Sequence, residues 1–208
     1  MKTIEITAKN FSCAIRICRK FLSGSATAMA VECRDMITIE AHQTENGAEA
    51  TFWASDGYRA VSYTVPLVKM EGVKEEDGGF VAAIRNPVFT PKDGTHVAVE
   101  LGRRSKQLFA TVNYLEYGIS FATKQVSGIR RRLRVLKDAI EQAAKAEPKA
   151  EFQGNSRYIR SAMEAVETTN LVYGLTTAPI VHLRVNEFPN PIYAEGRGVK
   201  AIVLPTRH

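Results

Sequence analysis

The chain of 208 residues lacks the features that mark membrane-spanning, secreted or metal-stapled proteins. No apolar run approaches the ~20 residues that cross a bilayer. The N-terminal segment MKTIEITAKNF alternates polar and apolar side chains and lacks the apolar stretch of a signal peptide. The cysteines Cys13, Cys18 and Cys33 form no CxxC pair and have no zinc-ligand spacing. We therefore expect a cytoplasmic protein whose cysteines are small buried apolar residues.

Motifs of catalysis and cofactor binding are also missing. The sequence contains no GxxxxGK[ST], GxSxG or HExxH motif and no GxGxxG that follows a strand and opens a helix. Its four histidines are scattered, and the acidic run at 75–77 is typical of a solvated loop. Asp56 precedes Gly57, which favours a turn over a catalytic acid. We expect no enzyme activity, no cofactor and no metal site.

The charge of the chain is concentrated in one segment. With 28 basic and 22 acidic side chains the net charge is +6, and 45% of the residues are hydrophobic, as in a folded protein. The segment RRRLRVLK at 130–137 carries five basic residues, without which the net charge would fall to +1. Such a segment can contact nucleic-acid phosphates without reading sequence, or it can be a solvated helix face or a site for an acidic partner.

Hydrophobic periodicity indicates a unit of one strand, one helix and three or four strands that occurs about three times. Asn10 and Asn155 are candidate caps of the first and last helices, and Ile129, Leu133, Leu136 and Ile140 recur at helical spacing between them. The predicted strands are 2–7, 28–33, 36–41, 49–54, 59–65, 80–84, 95–101, 107–113, 117–123, 149–154, 170–175, 180–186, 191–194 and 199–204. The repeat predicts an α+β fold of mostly antiparallel sheets with helices on one face.

Four segments resemble the bacterial sliding-clamp family, the beta subunit of DNA polymerase III. ATFWASDGYRAVSYTVPL at 50–67 resembles the clamp segment of the A-T-D-G-H-R-L type, and the strands at 96–123 resemble those that close a clamp's middle domain. LRVL at 133–136 is similar to the R-R-V-L linker after that domain, and FQGNSRYIRSAMEAV with the tail AIVLPTRH is similar to the last helix and closing strand. The alignment implies a shortened clamp with three parts: a domain of two half-units at 1–127, a basic helical linker at 128–148 and a half-domain at 149–208.

The resemblance implies a DNA clamp, a processivity factor in DNA replication or repair that encircles or tracks duplex DNA. Clamp helices line the hole of a ring, so basic residues off the apolar stripes would contact phosphates through water, independently of sequence. The expected DNA-facing residues are Arg16, Arg19, Lys20, Arg130, Arg131, Arg132, Arg157 and Arg160. The arginine run 130–132 could instead pack at the shortened junction between the units, where it would pair with acidic groups.

Clamps also hold polymerase and repair proteins by short linear peptides in an apolar cleft. By motif match, its residues here would be Ser55, Gly57, Tyr58, Arg59, Ala60, Arg134, Val135, Asn155, Tyr158, Phe188, Asn190, Ile202, Val203, Leu204, Pro205, Thr206 and Arg207. Thr206 and His208 replace the Met and Leu of the family's tail, which makes the expected cleft more polar. Apolar walls would bury the peptide, and arginine and asparagine side chains would fix its backbone.

The short chain leaves the assembly open. Family rings contain twelve half-domain units, so four chains of three units each would restore that number, and we expect a homo-oligomer. Two alternatives remain at this point. One is a clamp-derived module that captures peptides without encircling DNA, and the other is a DNA-binding regulator that uses 129–145 as a basic arm.

Overall fold

The computed structural model of the chain describes residues 1–22, 35–74, 76, 78–85, 89, 91, 94–146, 156–173, 182–184, 191–196 and 198–204. The helices are α1 (Ala8–Arg19), α2 (Ile129–Lys145) and α3 (Ser156–Tyr173). The strands are β1 (Lys2–Thr7), β2 (Met36–Thr44), β3 (Gly47–Ser55), β4 (Arg59–Pro66), β5 (Lys69–Glu71), β6 (Phe80–Arg85), β7 (His96–Arg104), β8 (Gln107–Tyr114), β9 (Ile119–Lys124), β10 (His182–Arg184), β11 (Ile192–Gly196) and β12 (Val199–Val203).

The strands form two antiparallel sheets. One has five strands in the order β5-β1-β7-β8-β9, and the other has seven in the order β10-β11-β12-β4-β3-β2-β6. The larger sheet is continuous across segments that are far apart in sequence, because β12 pairs with β4. The α+β class with antiparallel sheets is therefore confirmed.

The seven-stranded sheet is covered by helices on both faces. On β3, Phe52 points into the core that contains α1 and α3, whereas its neighbour Trp53 packs against α2. On β12, Ala201 likewise points into the core that contains α1 and α3, and Ile202 packs against α2. Because successive strand residues point to opposite sides, this alternation separates an α1/α3 face from an α2 face. The expectation that all helices lie on one face is wrong for α2.

Helix α1 lies in the main core between the two sheets. Thr7 caps it: the Thr7 Oγ1 accepts a hydrogen bond from the backbone N–H of Asn10 at 3.3 Å. Arg16 and Arg19 occupy its last turn, where positive charge is favourable to the helix dipole. The residue Asn10, expected as the cap, is instead buried inside the helix, since the helix begins directly after β1.

A Thr7→Ala variant tests this cap. Loss of the side-chain acceptor leaves an N–H of the first turn unpaired, and we expect the free energy of unfolding to fall by about 1 kcal/mol. Urea denaturation followed by circular dichroism measures it. Thr7→Ser keeps the hydroxyl and is the matched control, so equal losses in both variants would contradict a capping role.

Most predicted elements lie within a few residues of their positions, and helix 129–145 is confirmed to the residue. The predicted strand 170–175 is wrong over its first four residues, because α3 continues to Tyr173. A short apolar run fits a buried strand and a buried helix equally well. The predicted strands 28–33 and 149–154 lie outside the described residues, as does most of the segment with Pro87 and Pro91.

Candidate functional site

The turn between β3 and β4 is fixed by its own polar side chains. Asp56 Oδ1 accepts hydrogen bonds from the backbone N–H groups of Tyr58 at 3.0 Å and Arg59 at 3.1 Å. Ser55 Oγ accepts one from the N–H of Gly57 at 3.1 Å. Gly57 has φ +96°, which a side chain would strain. These contacts, typical of an Asp-Gly turn, place Tyr58 at the tip and turn Arg59 inward.

Arg59 joins this turn to α3 and to Phe21, which follows α1. Its Nε lies 2.9 Å from Asp56 Oδ2, and the two side chains are only 15% and 12% exposed. Its guanidinium carbon lies 5.0 Å from the centroid of the Tyr158 ring and 5.3 Å from that of Phe21, and an Nη donates to Ser161. Arg59 was expected to fix a bound peptide, but this guanidinium is committed to contacts within the chain.

The pairing of β12 with β4 brings two predicted cleft segments together. Ile202 lies opposite Ala60, Val203 lies opposite Arg59, and the N–H of Leu204 donates to the carbonyl of Tyr58 at 3.0 Å. Antiparallel neighbours of this kind hold their Cβ atoms about 5 Å apart. Residues 202–204 and the 55–60 segment therefore lie side by side at this end of the sheet.

Part of this end of the sheet is exposed. The Tyr58 side chain is 58% exposed and its ring stacks on that of Tyr158, with 6.3 Å between centroids and 19° between planes. Leu204 is 38% exposed beside them. On α2, Val135 is 61% exposed and lies one turn beyond Arg132, whose guanidinium donates to the carbonyl of Ser55 at 2.9 Å. Apolar side chains thus border this end of the sheet.

The rest of the predicted cleft is covered. Ala60 and Ile202 are buried beneath α2, against Leu133, Ile140 and Ala143. They therefore offer no open wall, which corrects the expectation from the motif match. Val203 points to the α1/α3 face and is also buried, as is Ser55. The predicted cleft residues Asn155, Phe188, Asn190, Pro205, Thr206 and Arg207 lie outside the described residues.

Arg134 lies on the other side of α2 from the turn. It lines a cavity of about 280 Å³ with Arg130 and Lys137 of α2 and Glu40 of β2. Lys137 Nζ lies 2.6 Å from Glu40 Oε2, so α2 is tied to the sheet by an ion pair on this side. The two linker residues predicted for the cleft, Arg134 and Val135, are not brought to the same surface.

The α1/α3 face carries most of the expected DNA-facing residues. Arg16, Arg19, Arg157 and Arg160 are exposed on two helices that pack against each other. Lys20 is half-buried and lies 3.4 Å from Glu164, which also accepts a hydrogen bond from Arg160 at 2.8 Å. That bond, together with the nearby charge of Lys20, lowers the pKa of Glu164, so its carboxylate is ionised and offsets part of the local positive charge.

The arginine run is on the opposite face. Arg130, Arg131 and Arg132 belong to α2, and the seven-stranded sheet separates them from α1 and α3. Arg130 donates to the carbonyl of Gly78, and Arg132 donates to that of Ser55. The expectation that these arginines share one DNA-facing surface with Arg16 and Arg160 is corrected, because the apolar stripe of α2 packs on the other side of the sheet.

Sequence patterns did not single out three residues that shape this site. Phe21 and Ser161 contact Arg59, and Trp53 lies beneath α2. Ser161 lies three residues after Tyr158, so a helical projection of α3 would place both on one face. The contact of Phe21 with Arg59 depends on tertiary packing and leaves no local signal.

The described residues hold no group of three or more metal-ligating side chains. Cys13 and Cys18 are free and buried, as expected, and burial raises the pKa of both thiols, whereas Cys33 lies outside the described residues. Within the same part of the chain, no helix is long and apolar enough to cross a membrane.

Solved structures with a similar fold are bacterial DNA polymerase sliding clamps, although no protein-family profile and no curated protein sequence matches the chain. The beta sliding clamp of Caulobacter crescentus aligns with a TM-score of 0.61 and 13% identity over 99% of this chain. The DNA polymerase III beta subunit of Thermotoga maritima gives 0.61 and 12% over 100%, and the Bacillus subtilis clamp gives 0.60 and 11% over 99%. The chain spans 65%, 65% and 64% of the three, respectively. It therefore has the fold of the bacterial sliding clamps over 64–65% of their length.

Proposed function

We propose that this chain is a sliding-clamp-like processivity factor that binds duplex DNA independently of sequence and tethers partner proteins through peptides. The observation that carries the proposal is the clamp fold over the whole chain, together with two adjacent helices that present arginines on one face. The sequence division into 1–127, 128–148 and 149–208 is part of the proposal. So are a cytoplasmic location and a non-enzymatic role.

The DNA surface is the exposed side of α1 and α3. Helix α1 has no acidic residue and ends in Arg16 and Arg19, followed by Lys20. Arg157 and Arg160 extend this surface on α3. Long, exposed basic side chains without base-reading geometry favour phosphate contacts, which let a protein move along DNA.

Partner capture would use the exposed apolar end of the sheet. Tyr58, Leu204 and Val135 supply apolar contact area there, and aromatic side chains are enriched at such anchors. The partners would be DNA polymerases or repair proteins that carry short linear peptides, and no cofactor is needed for this chemistry.

Open sheet edges support a homo-oligomer. Among the described strands β9 and β10 lie at the ends of their sheets, and β9 exposes Phe121 at 45% although this residue faces the same side as the buried Val112 with which it pairs. Unpaired edge strands with exposed apolar side chains are templates for pairing with another chain. Head-to-tail pairing of β9 with β10 in four chains would close a ring of twelve half-units.

Retention on DNA tests the proposal. We expect the protein to stay on nicked circular DNA and to leave the same DNA once it is linearised. Only a closed ring dissociates by sliding off a DNA end. Gel filtration coupled to light scattering, on the protein with and without DNA, measures both retention and assembly. A monomer at micromolar concentration with and without DNA would contradict the ring.

A peptide-binding module that does not encircle DNA is the second candidate. It is favoured by the exposed side chains of Tyr58 and Leu204, which are available to a peptide whether or not the chain forms a ring. This candidate predicts equal, weak retention on circular and linear DNA together with binding of a fluorescent clamp-binding peptide. A regulator with 129–145 as a free basic arm is less favoured, because the apolar stripe of α2 is buried on the sheet.

A further inference from the structure

The larger sheet has a first part, β2, β3, β4 and β6, and a second part, β10, β11 and β12, and the two parts join where β4 pairs with β12. Helix α2 covers this joint. Its apolar side packs on Trp53 and Ala60 from the first part and on Tyr193 and Ile202 from the second. Near its C-terminal end, Arg184 of β10 donates to the carbonyl of Ala144. The helix therefore lies across several strands and occupies the apolar surface that the joint would otherwise expose.

The N-terminal end of α2 is poorly stabilised by its own residues. Its N-cap is Gly128 in the left-handed region, with φ +83°, and no side chain caps the helix. The first turn contains no acid and holds Arg130, Arg131 and Arg132, which oppose the helix dipole. α1 differs in its side-chain cap, which Thr7 supplies, although its first turn also lacks an acid.

The contact beneath α2 is imperfect as well. The indole N–H of Trp53 is buried there and has no hydrogen-bond partner among the described residues. A buried donor without a partner opposes burial, whereas solvent would satisfy it. The polar contacts of α2 with the strands and loops below include the ion pair of Lys137 with Glu40 and the hydrogen bonds from Arg130 and Arg132.

We propose that α2 is a displaceable strap and that the α2 face is a docking surface for an amphipathic helix of a partner. The strap itself shows the chemistry that fits: apolar residues spaced as Leu133, Leu136, Ile140 and Ala143, with a basic residue opposite Glu40. Lifting α2 exposes Trp53, Ala60, Tyr193 and Ile202, so an incoming helix must cover them again. The inference deepens the proposed partner capture and rests on it for the identity of natural partners only.

The test uses a fluorescein-labelled peptide of residues 128–146 and the full chain. We expect Lys137→Glu to bind this peptide about tenfold more tightly than the original chain. The peptide competes with the chain's own α2 for the sheet, and the substitution removes the ion pair that holds α2 there, so a larger fraction of the protein is open. Lys145→Glu makes the same charge change on α2, but Lys145 pairs with Glu141 of its own helix and not with the sheet in the part of the chain that the structure describes, so this variant should bind like the original. Fluorescence anisotropy gives both affinities.

A charge-swap variant and the fluorescence of Trp53 test whether the effect comes from the ion pair of Lys137 with Glu40. The double variant Glu40→Lys with Lys137→Glu restores the ion pair and should restore weak peptide binding. Trp53 is the only tryptophan of the chain, so its emission should shift to longer wavelength in Lys137→Glu and return in the double variant. Equal peptide binding and equal emission in Lys137→Glu and Lys145→Glu would overturn the strap.

Hydrogen exchange on the unaltered chain keeps the proposal falsifiable if Lys137→Glu fails to fold. The amides of α2 should exchange at least about tenfold faster than those of α1 under native conditions, since a strap opens locally. Equal protection of the two helices would overturn it. None of these readouts uses DNA, so failure of the circular-DNA assay leaves this inference standing, and its own failure leaves the clamp proposal standing.

Discussion

An Arg59→Ala variant is expected to lose about 3 kcal/mol of unfolding free energy. The guanidinium is shared by Asp56, Ser161 and two aromatic rings, and its removal leaves the mostly buried Asp56 carboxylate without its cation. Removing one partner of a buried pair costs more than the pair itself contributes, because the other charge stays desolvated. Urea unfolding at neutral pH measures the loss.

Two further variants separate charge from packing at Arg59. Arg59→Lys keeps the charge, but an ammonium group cannot bind Asp56 and Ser161 together as the planar guanidinium does. We therefore expect an intermediate loss of unfolding free energy. Asp56→Asn combined with Arg59→Met removes both charges and should recover part of the stability. If Arg59→Ala stays within about 0.5 kcal/mol of the original, the role assigned to this side chain is wrong.

Reversing two charges on α1 should have the largest effect on DNA binding. We expect Arg16→Glu with Arg19→Glu to weaken binding to duplex DNA at least about tenfold at low salt, and to make the plot of log affinity against log salt shallower by about 2. Both side chains are exposed, but the change places negative charge in the last turn of α1, so circular dichroism must show that the variant is folded. Anisotropy titrations at several salt concentrations measure it.

Two matched pairs locate the DNA surface. Arg103→Glu with Arg104→Glu makes the same charge change at the exposed end of β7, and Arg130→Glu with Arg131→Glu makes it on the α2 face. Both should retain most of the affinity and the salt dependence. A larger loss from the α2 pair than from the α1 pair would move the DNA surface to the opposite side of the sheet.

The sequence predicted local structure well and tertiary placement poorly. The stripe of Leu133, Leu136 and Ile140 defines α2 to the residue, because helical periodicity is a property of neighbouring residues. The same stripe fits either face of a sheet, so it could not place α2 opposite α1. The match of 55–60 and 202–204 to clamp motifs named two segments that do become neighbours, but not the helix that covers part of them.

The orientation of the Arg59 side chain toward the interior also could not be predicted from local sequence. Its type and its position beside Asp56 and Gly57 fit a ligand-binding arginine and a structural one equally well. Only the approach of Tyr158 and Ser161, about 100 residues later in the chain, decides between them. Contacts at that separation are set by the fold as a whole and leave no local pattern.

The pairing of β12 with β4 also has a consequence for biosynthesis. β4 cannot pair with β12 until that strand, about 140 residues later in the chain, has been synthesised. Long-range strand pairing of this kind is also slow to form. Until then β4 is an unpaired edge with an apolar row, Val61, Tyr63 and Val65, on one face, a template for association with other nascent chains. Helix α2 leaves the ribosome before β12 and can already lie on Trp53 and Ala60. The strap would thus shield the nascent chain from aggregation until its last described strand is made.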